Sequence, residues 1–443
     1  MTKPLHGLIP DQTIEHIDSF TLESGTVLEN VPVAFKTWGT LNEDGSNVMV
    51  ICHALSGSAD VEDWWGPLLG PGRAFDPDVF FIFCGNVLGS PYGTASPLTT
   101  DPKTGKPYGP TFPITSVRDD VRLHNEILTR LGVKVIQAVI GGSMGGMQVL
   151  EWSFFGSDYV KSIVPLATSG RHSAWCIAWG ESQRQTIYSD PNYGNGYYSA
   201  DSAPTNGLAA ARMQALLTYR SRNSFESRFG RKVMPGANPS SSPQPAPTAT
   251  AYHNEGNKSN PHSPNGKKSS SAEAIASDTT ETERTSDTTS PPKVFSAQSY
   301  LRYQGDKFIK RFDANCYISI TRKMDTHDVS RGRGEYFDVL ARVEQPTLVI
   351  GIETDGLFTI GEQRELAESI PNATLAVIAS PEGHDGFLLE FEQINRLISD
   401  FIRVNVAHLF EGAGEGKVKV GGKDAFVAAK PSVFGEAEDA LLW

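Results

Sequence analysis

The sequence predicts an α/β fold built on a mostly parallel central sheet, and three observations carry that expectation. Short apolar runs rich in β-branched and aromatic residues alternate with helical stretches, the pattern of strands covered on both faces. The alternation stops after Ala167 and resumes after Pro346, so one core is interrupted by a long insertion. One of the apolar runs ends in a glycine-rich turn that opens directly into a helical stretch.

The strand-like runs of the first block are Val48 to Cys52, Val79 to Cys84, Val135 to Ile140 and Ser162 to Ala167. Between two of them, Asp119 to Leu131 places Val121, Ile127, Leu128 and Leu131 at helical spacing, and Gly132 supplies the stop. The second block holds the runs Thr347 to Ile352 and Ala373 to Ile378, followed by a helix from about Leu388 to Val404. The organisation expected is a first part of the core over residues 1–168, a helical lid over 169–338, a second part of the core over 339–405, and a C-terminal tail over 406–443. Inside the lid, residues 235–292 contain no Leu, Val, Met, Phe or Trp. Such a stretch cannot bury enough surface to offset its ordering entropy, and a disordered insertion is expected there.

Composition excludes several classes. The chain has 443 residues, of which 39 % are apolar and 20 % charged, and its 22 Phe, 7 Trp and 13 Tyr exclude a uniformly disordered chain. Its 39 Lys and Arg against 51 Asp and Glu give a formal charge of −12, which argues against a nucleic-acid partner. The four cysteines, Cys52, Cys84, Cys176 and Cys316, form no Cys-x-x-Cys pair, so no metal site is expected and buried thiols in a reducing compartment are. The apolar runs are far shorter than the roughly 18 residues that suggest a membrane span. The segment Met1 to Phe20 has no apolar stretch and carries Asp11, Glu15 and Asp18, so a cytoplasmic protein without a membrane partner is expected.

The chemistry is concentrated in Gly141-Gly142-Ser143-Met144-Gly145-Gly146, which follows the strand Val135 to Ile140 and precedes the helical stretch Met147 to Phe155. This is G-x-S-x-G in a strand–turn–helix context. The small residues permit a tight turn that lifts the Ser143 hydroxyl above the sheet, and the helix N-terminus favours negative charge developing there. A serine nucleophile needs a base, and the base needs a carboxylate to orient it. In this architecture the chain order is serine, acid, histidine. Asp355, just past the strand Thr347 to Ile352, is the favoured acid over Glu353 and Glu382. His384, just past Ala373 to Ile378, is favoured over His53, His124, His172 and His327. An oxyanion hole takes one amide from the residue after the nucleophile, Met144, and one from an early strand-end loop. The loop His53-Ala54-Leu55-Ser56-Gly57-Ser58 supplies the second, with Leu55 the best candidate.

The sequence resembles the homoserine O-acetyltransferase family in its fungal form, within the α/β-hydrolase fold. The resemblance runs over nearly the whole chain outside the low-complexity stretch. It is carried by Ala34-Phe35-Lys36-Thr37-Trp38-Gly39, Asp63-Trp64-Trp65-Gly66-Pro67, Leu88-Gly89-Ser90-Pro91-Tyr92-Gly93, the Ser143 turn and Arg171-His172-Ser173-Ala174-Trp175-Cys176. Further blocks are Gly207-Leu208-Ala209-Ala210-Ala211-Arg212-Met213, Leu217-Thr218-Tyr219-Arg220, Phe312-Asp313-Ala314-Asn315-Cys316-Tyr317 and the tail Ser432-Val433-Phe434-Gly435-Glu436. The resemblance implies an α/β-hydrolase fold with a large helical lid and a Ser143, Asp355, His384 triad. It implies Arg212 and Asp385 as substrate-binding residues. It also implies acetyl-CoA as co-substrate with no resident cofactor, L-homoserine as acceptor in methionine biosynthesis, and a homodimer formed through the lid. The ion pairs make chemical sense, because an amino-acid substrate offers a carboxylate to a guanidinium and an ammonium to a carboxylate. Serine as acceptor remains open, since one methylene is worth only about 1–3 kcal/mol in a pocket. Succinyl-CoA as donor, hydrolysis by an esterase or thioesterase, and a catalytically silent scaffold are the further alternatives.

Overall fold

The computed structural model describes residues 4–234, 249–257 and 294–410. Its centre is one eight-stranded sheet in the order β1-β2-β4-β3-β5-β6-β7-β8. The strands are β1 (Thr13–Thr21), β2 (Val27–Trp38), β3 (Val48–Cys52), β4 (Phe81–Gly85), β5 (Ile136–Gly142), β6 (Ile163–Leu166), β7 (Thr347–Ile352) and β8 (Ala373–Ile378). Every pair from β4 to β8 is parallel, and β1 and β2 add an antiparallel edge. Strands β3, β4, β5, β6 and β7 are buried at every position, as continuous apolar runs require when both faces are covered.

The boundaries shift from expectation for local reasons. Val79 and Phe80 donate to the Asp76 carbonyl in a turn, so β4 begins only at Phe81. Ala167, at φ 42°, leaves β6 after Leu166. Strands β1 and β2 are not among the expected strands: β1 has no continuous apolar run, and the run Val31 to Phe35 of β2 is interrupted by Pro32.

Helices cover both faces. Val117–Arg130 starts with a capping box in which Asp119 N–H donates to Ser116 Oγ and Ser116 N–H donates to the Asp119 carboxylate. Its Val121, Ile127 and Leu128 join one core cluster beneath the sheet. On the other face, Phe391–Asn405 buries Ile394, Ile398 and Ile402, one position per helical turn, against Trp65 and the sheet.

The insertion after β6 contributes helices Ala174–Tyr188, Thr205–Tyr219, Arg222–Arg228, Ser296–Phe308 and Ala314–Asp325. They close over the sheet through a third apolar cluster that includes Met144, Met147, Phe308 and Tyr317. A buried ion pair fastens them to the core. Lys323 Nζ lies 2.6 Å from Asp120 Oδ2 with both side chains fully inaccessible, and it also donates to the Leu88 carbonyl at 2.7 Å. The expected disordered stretch 235–292 lies outside the described residues except for 249–257. There, Ala249–His253 forms a short helix and Glu255 pairs with Arg302 at 2.6 Å. The expected C-terminal tail beyond Phe410 also lies outside the described residues.

Candidate active site

β5 delivers Ser143 at φ 59°, ψ −124°, and the helix Met144–Ser153 starts immediately after it. A non-glycine residue in that region stores on the order of 1–3 kcal/mol unless its surroundings hold it there. They do. Ser143 N–H donates to the Leu166 carbonyl at 3.0 Å, and the Ser143 carbonyl accepts from Thr168 Oγ1 at 2.8 Å. The turn also needs a close backbone approach at Gly145, where a Cβ would lie 2.1 Å from the Cys52 carbonyl oxygen. The G-x-S-x-G spacing is therefore a packing requirement that leaves the serine side chain facing outward.

Ser143 opens into a cleft lined by Leu55, Trp64, Arg212, Tyr219, His384, Asp385 and other residues. His384 sits on the loop after β8 and Asp355 on the loop after β7, both at the C-terminal ends of parallel strands. His384 Nδ1 lies 2.6 Å from Asp355 Oδ2. Asp355 Oδ1 accepts from the backbone N–H groups of Leu357 and Phe358 at 2.8 and 3.0 Å. A carboxylate so placed accepts a hydrogen bond from Nδ1–H, which fixes the tautomer with Nε2 unprotonated. Burial by itself would push His384 down. The Asp355 charge and hydrogen bond outweigh it, so the imidazole is held above its ordinary value, with Asp385 acting in the same direction.

The competing groups are placed elsewhere. His53, His124 and His327 are pushed down to about 4 and His172 to about 3, chiefly by burial, and none of them lines the Ser143 cleft. Of the alternative acids, Glu353 is exposed and Glu382 is held by Arg220 and Arg228. His53 has a different task. Its Nδ1 faces the Ala54 carbonyl at 2.8 Å and Val87 N–H donates to its Nε2 at 3.2 Å, which pins the loop that carries Leu55. Met144 is the first residue of its helix, so its N–H belongs to the set without an intrahelical acceptor.

Arg212 comes from the lid helix Thr205–Tyr219 and is 1 % exposed, with its guanidinium over the rings of Tyr219 and Phe308. Asp385 faces the same cleft, but Arg220 Nε already lies 2.8 Å from its Oδ2. Burial raises the Asp385 carboxyl, while Arg220, His384 and Arg212 each oppose that rise. Sequence reasoning did not find Trp64, Tyr219 and Phe387 as cleft walls, nor Arg220 and Arg311 as buried cations behind it. Arg311 donates to the Ser56 carbonyl at 3.0 Å, on the same loop as Leu55. All four cysteines are free and buried. Among the described residues no cluster of three metal-ligating side chains occurs, and no helix is long and apolar enough to cross a membrane.

A strand-end serine in a strained turn, a histidine paired to a carboxylate on later loops, and a parallel sheet define the class of α/β-hydrolase-fold enzymes. A family model described as "alpha/beta hydrolase fold" matches residues 47–391. The chain is 54 % identical to the homoserine O-acetyltransferase of Emericella nidulans, over 99 % of this chain and 96 % of that one. It is 53 % identical to the homoserine O-acetyltransferase of Ascobolus immersus, over 99 % of this chain and 95 % of that one. Among solved structures, esterase E22 superposes with a TM-score of 0.70 at 26 % identity, covering 88 % of this chain and 99 % of that one. The chain belongs to the homoserine O-acetyltransferase family of the α/β-hydrolase fold.

Proposed function

We propose that the protein transfers the acetyl group of acetyl-CoA to the side-chain hydroxyl of L-homoserine by double displacement at Ser143. The observation that carries this reading is the Asp355–His384 pair at 2.6 Å in the cleft onto which Ser143 opens. His384 Nε2 takes the Ser143 proton as Oγ attacks the thioester carbon. The C–O bond forms and the carbonyl electrons move to oxygen, where the Leu55 and Met144 amides receive the charge. When the C–S bond breaks, His384 returns the proton to the sulfur and CoA leaves as the thiol. Acetyl-Ser143 remains. Homoserine then enters, Arg212 takes its carboxylate and Asp385 its ammonium, and His384 removes the proton from its hydroxyl as the oxygen attacks. Collapse gives O-acetylhomoserine, and the proton goes back to Ser143.

The lid supports transfer over hydrolysis, because water competes for the acyl-enzyme and the lid helix Thr205–Tyr219 walls the cleft with Arg212 and Tyr219. A cytoplasmic location and service to methionine biosynthesis follow from the same reading. The likeness to an esterase favours hydrolysis as the second reading. The two are separated by following CoA release from acetyl-CoA with a thiol reagent, with homoserine, serine or no acceptor present. Release that requires homoserine and exceeds that with serine supports the transferase. Equal release without an acceptor overturns it in favour of a thioesterase, and a preference for serine changes the acceptor.

A further inference from the structure

Arg220 lies at the junction between the lid helix Thr205–Tyr219 and the helix Arg222–Arg228, and its side chain is 2 % exposed. It reaches the loop that carries His384 from the lid side. Its Nη1 pairs with Glu382 and its Nε with Asp385 Oδ2 at 2.8 Å. These carboxylates flank His384, two residues before it and one after it. The next lid residues complete the grip. Ser221 Oγ donates to the Pro381 carbonyl, Ser224 Oγ to Glu382 Oε2 at 2.6 Å, and Arg228 Nη2 to Glu382 Oε1 at 2.8 Å. Gly383, at φ 73°, lets the two segments touch, since a Cβ there would lie 2.5 Å from Ser221 N. Arg220 itself does not line the Ser143 cleft.

We propose that Arg220 is a positioning residue. By clamping Glu382 and Asp385 together it sets the orientation of His384 toward Ser143 and presents Asp385 to the acceptor, so that the lid and the catalytic loop are one unit. A planar fork holds two carboxylates in a fixed relative orientation, which the freely rotating donors of an ammonium do not impose. This inference rests on the triad and acceptor roles proposed above. The groups facing Asp385 are Arg220, His384, Arg212, Glu382, Tyr219 and Tyr300. Removing Arg220 takes away the foremost of the cations that oppose the burial-driven rise of the Asp385 carboxyl and lifts it further, so acceptor binding becomes more pH-dependent.

The test compares Arg220→Met, Arg220→Lys and Glu382→Gln with the wild type in CoA release driven by homoserine. A misplacement of about 1 Å at the base costs on the order of 10²-fold. Arg220→Met is expected to lose about that much kcat, to raise the homoserine KM about tenfold, and to show a KM that climbs further as pH falls from 8 to 6. Arg220→Lys, which keeps the charge without the rigid fork, should recover part of kcat. A purely structural role would lower the unfolding midpoint and leave kcat, KM and the pH profile within twofold, and that result overturns the proposal. If Arg220→Met does not fold, the near-isosteric Arg220→Lys and Glu382→Gln decide it, and wild-type kinetics in both overturn it. Ser143→Ala in the same assay separates the two levels. Transfer that persists there refutes the triad reading, whereas a dead Ser143→Ala beside a normal Arg220→Met refutes only the clamp.

Discussion

Asp355→Asn separates control of the histidine tautomer from folding. In the wild type, Oδ1 accepts from Leu357 and Phe358 N–H at 2.8 and 3.0 Å, and Oδ2 faces His384 Nδ1 at 2.6 Å. An asparagine keeps its carbonyl oxygen on the two backbone donors, because turning the amide over would orphan them at about 1–3 kcal/mol each. Its NH₂ group then faces Nδ1, and only the tautomer with the proton on Nε2 is compatible. That imidazole cannot take the Ser143 proton. The equivalent exchange in the Ser-His-Asp template lowers kcat by about 10⁴, which is ~5.5 kcal/mol at ~1.36 kcal/mol per decade. The expected outcome is a 10³–10⁴-fold fall in kcat for homoserine-dependent CoA release, with a thermal midpoint close to wild type because the loop keeps its hydrogen bonds. A variant that retained more than about a tenth of wild-type kcat would have lost under ~1.4 kcal/mol, too little for a wrong tautomer. It would refute the assignment of Asp355.

The remaining predictions use the same geometry. The pH dependence of kcat/KM should show an acid limb above the ordinary histidine value of about 6.5, since the base must be neutral and Asp355 holds His384 up. Because the folded value is raised, the stability this pair contributes is complete below the unfolded value and is lost as pH rises through the folded one, opposite in direction to activity. Urea unfolding should find Lys323→Met about 3–5 kcal/mol less stable, because Asp120 is left fully buried without its counter-ion, and Lys323→Met with Asp120→Leu should recover most of that. A single-variant loss under about 1 kcal/mol would show that the pair does not fasten the lid. Gly145→Ala forces a Cβ against the Cys52 carbonyl and should cost about 1–3 kcal/mol or more. It should also slow labelling of Ser143 by a serine-directed phosphonate, and labelling at the wild-type rate would show that this contact does not set the turn.

Particular residues show what was legible in the sequence. Strands β7 and β8 match their apolar runs to the residue; β7 is buried at every position, whereas β8, at the sheet edge, buries only Ile378 and is marked by its unbroken apolar and β-branched sequence. The Ser143 turn was readable because its small residues are steric requirements, and its neighbours in the cleft follow from chain order. Strands β1 and β2 escaped. On β1 only Ile17 and Phe20 are buried, three residues apart, so Thr13–Thr21 shows neither a continuous nor an alternating apolar run. Arg220 escaped for another reason. Its partners Glu382 and Asp385 lie more than 160 residues away in sequence, and pairing at that separation leaves no local pattern. The wall residues Trp64, Tyr219 and Phe387 carry no charge or nucleophile that would mark them as cleft residues, and Trp64 and Phe387 also belong to the apolar core.

The most direct test of the central claim is mass spectrometry of the full chain mixed with acetyl-CoA alone, followed by addition of homoserine. The account predicts one acetyl group on Ser143, formed with release of one CoA. Homoserine should discharge it as O-acetylhomoserine, and neither Ser143→Ala nor Asp355→Asn should accumulate it. Transfer to homoserine by Ser143→Ala at the wild-type rate, or an acetyl group carried on a residue other than Ser143, would contradict it.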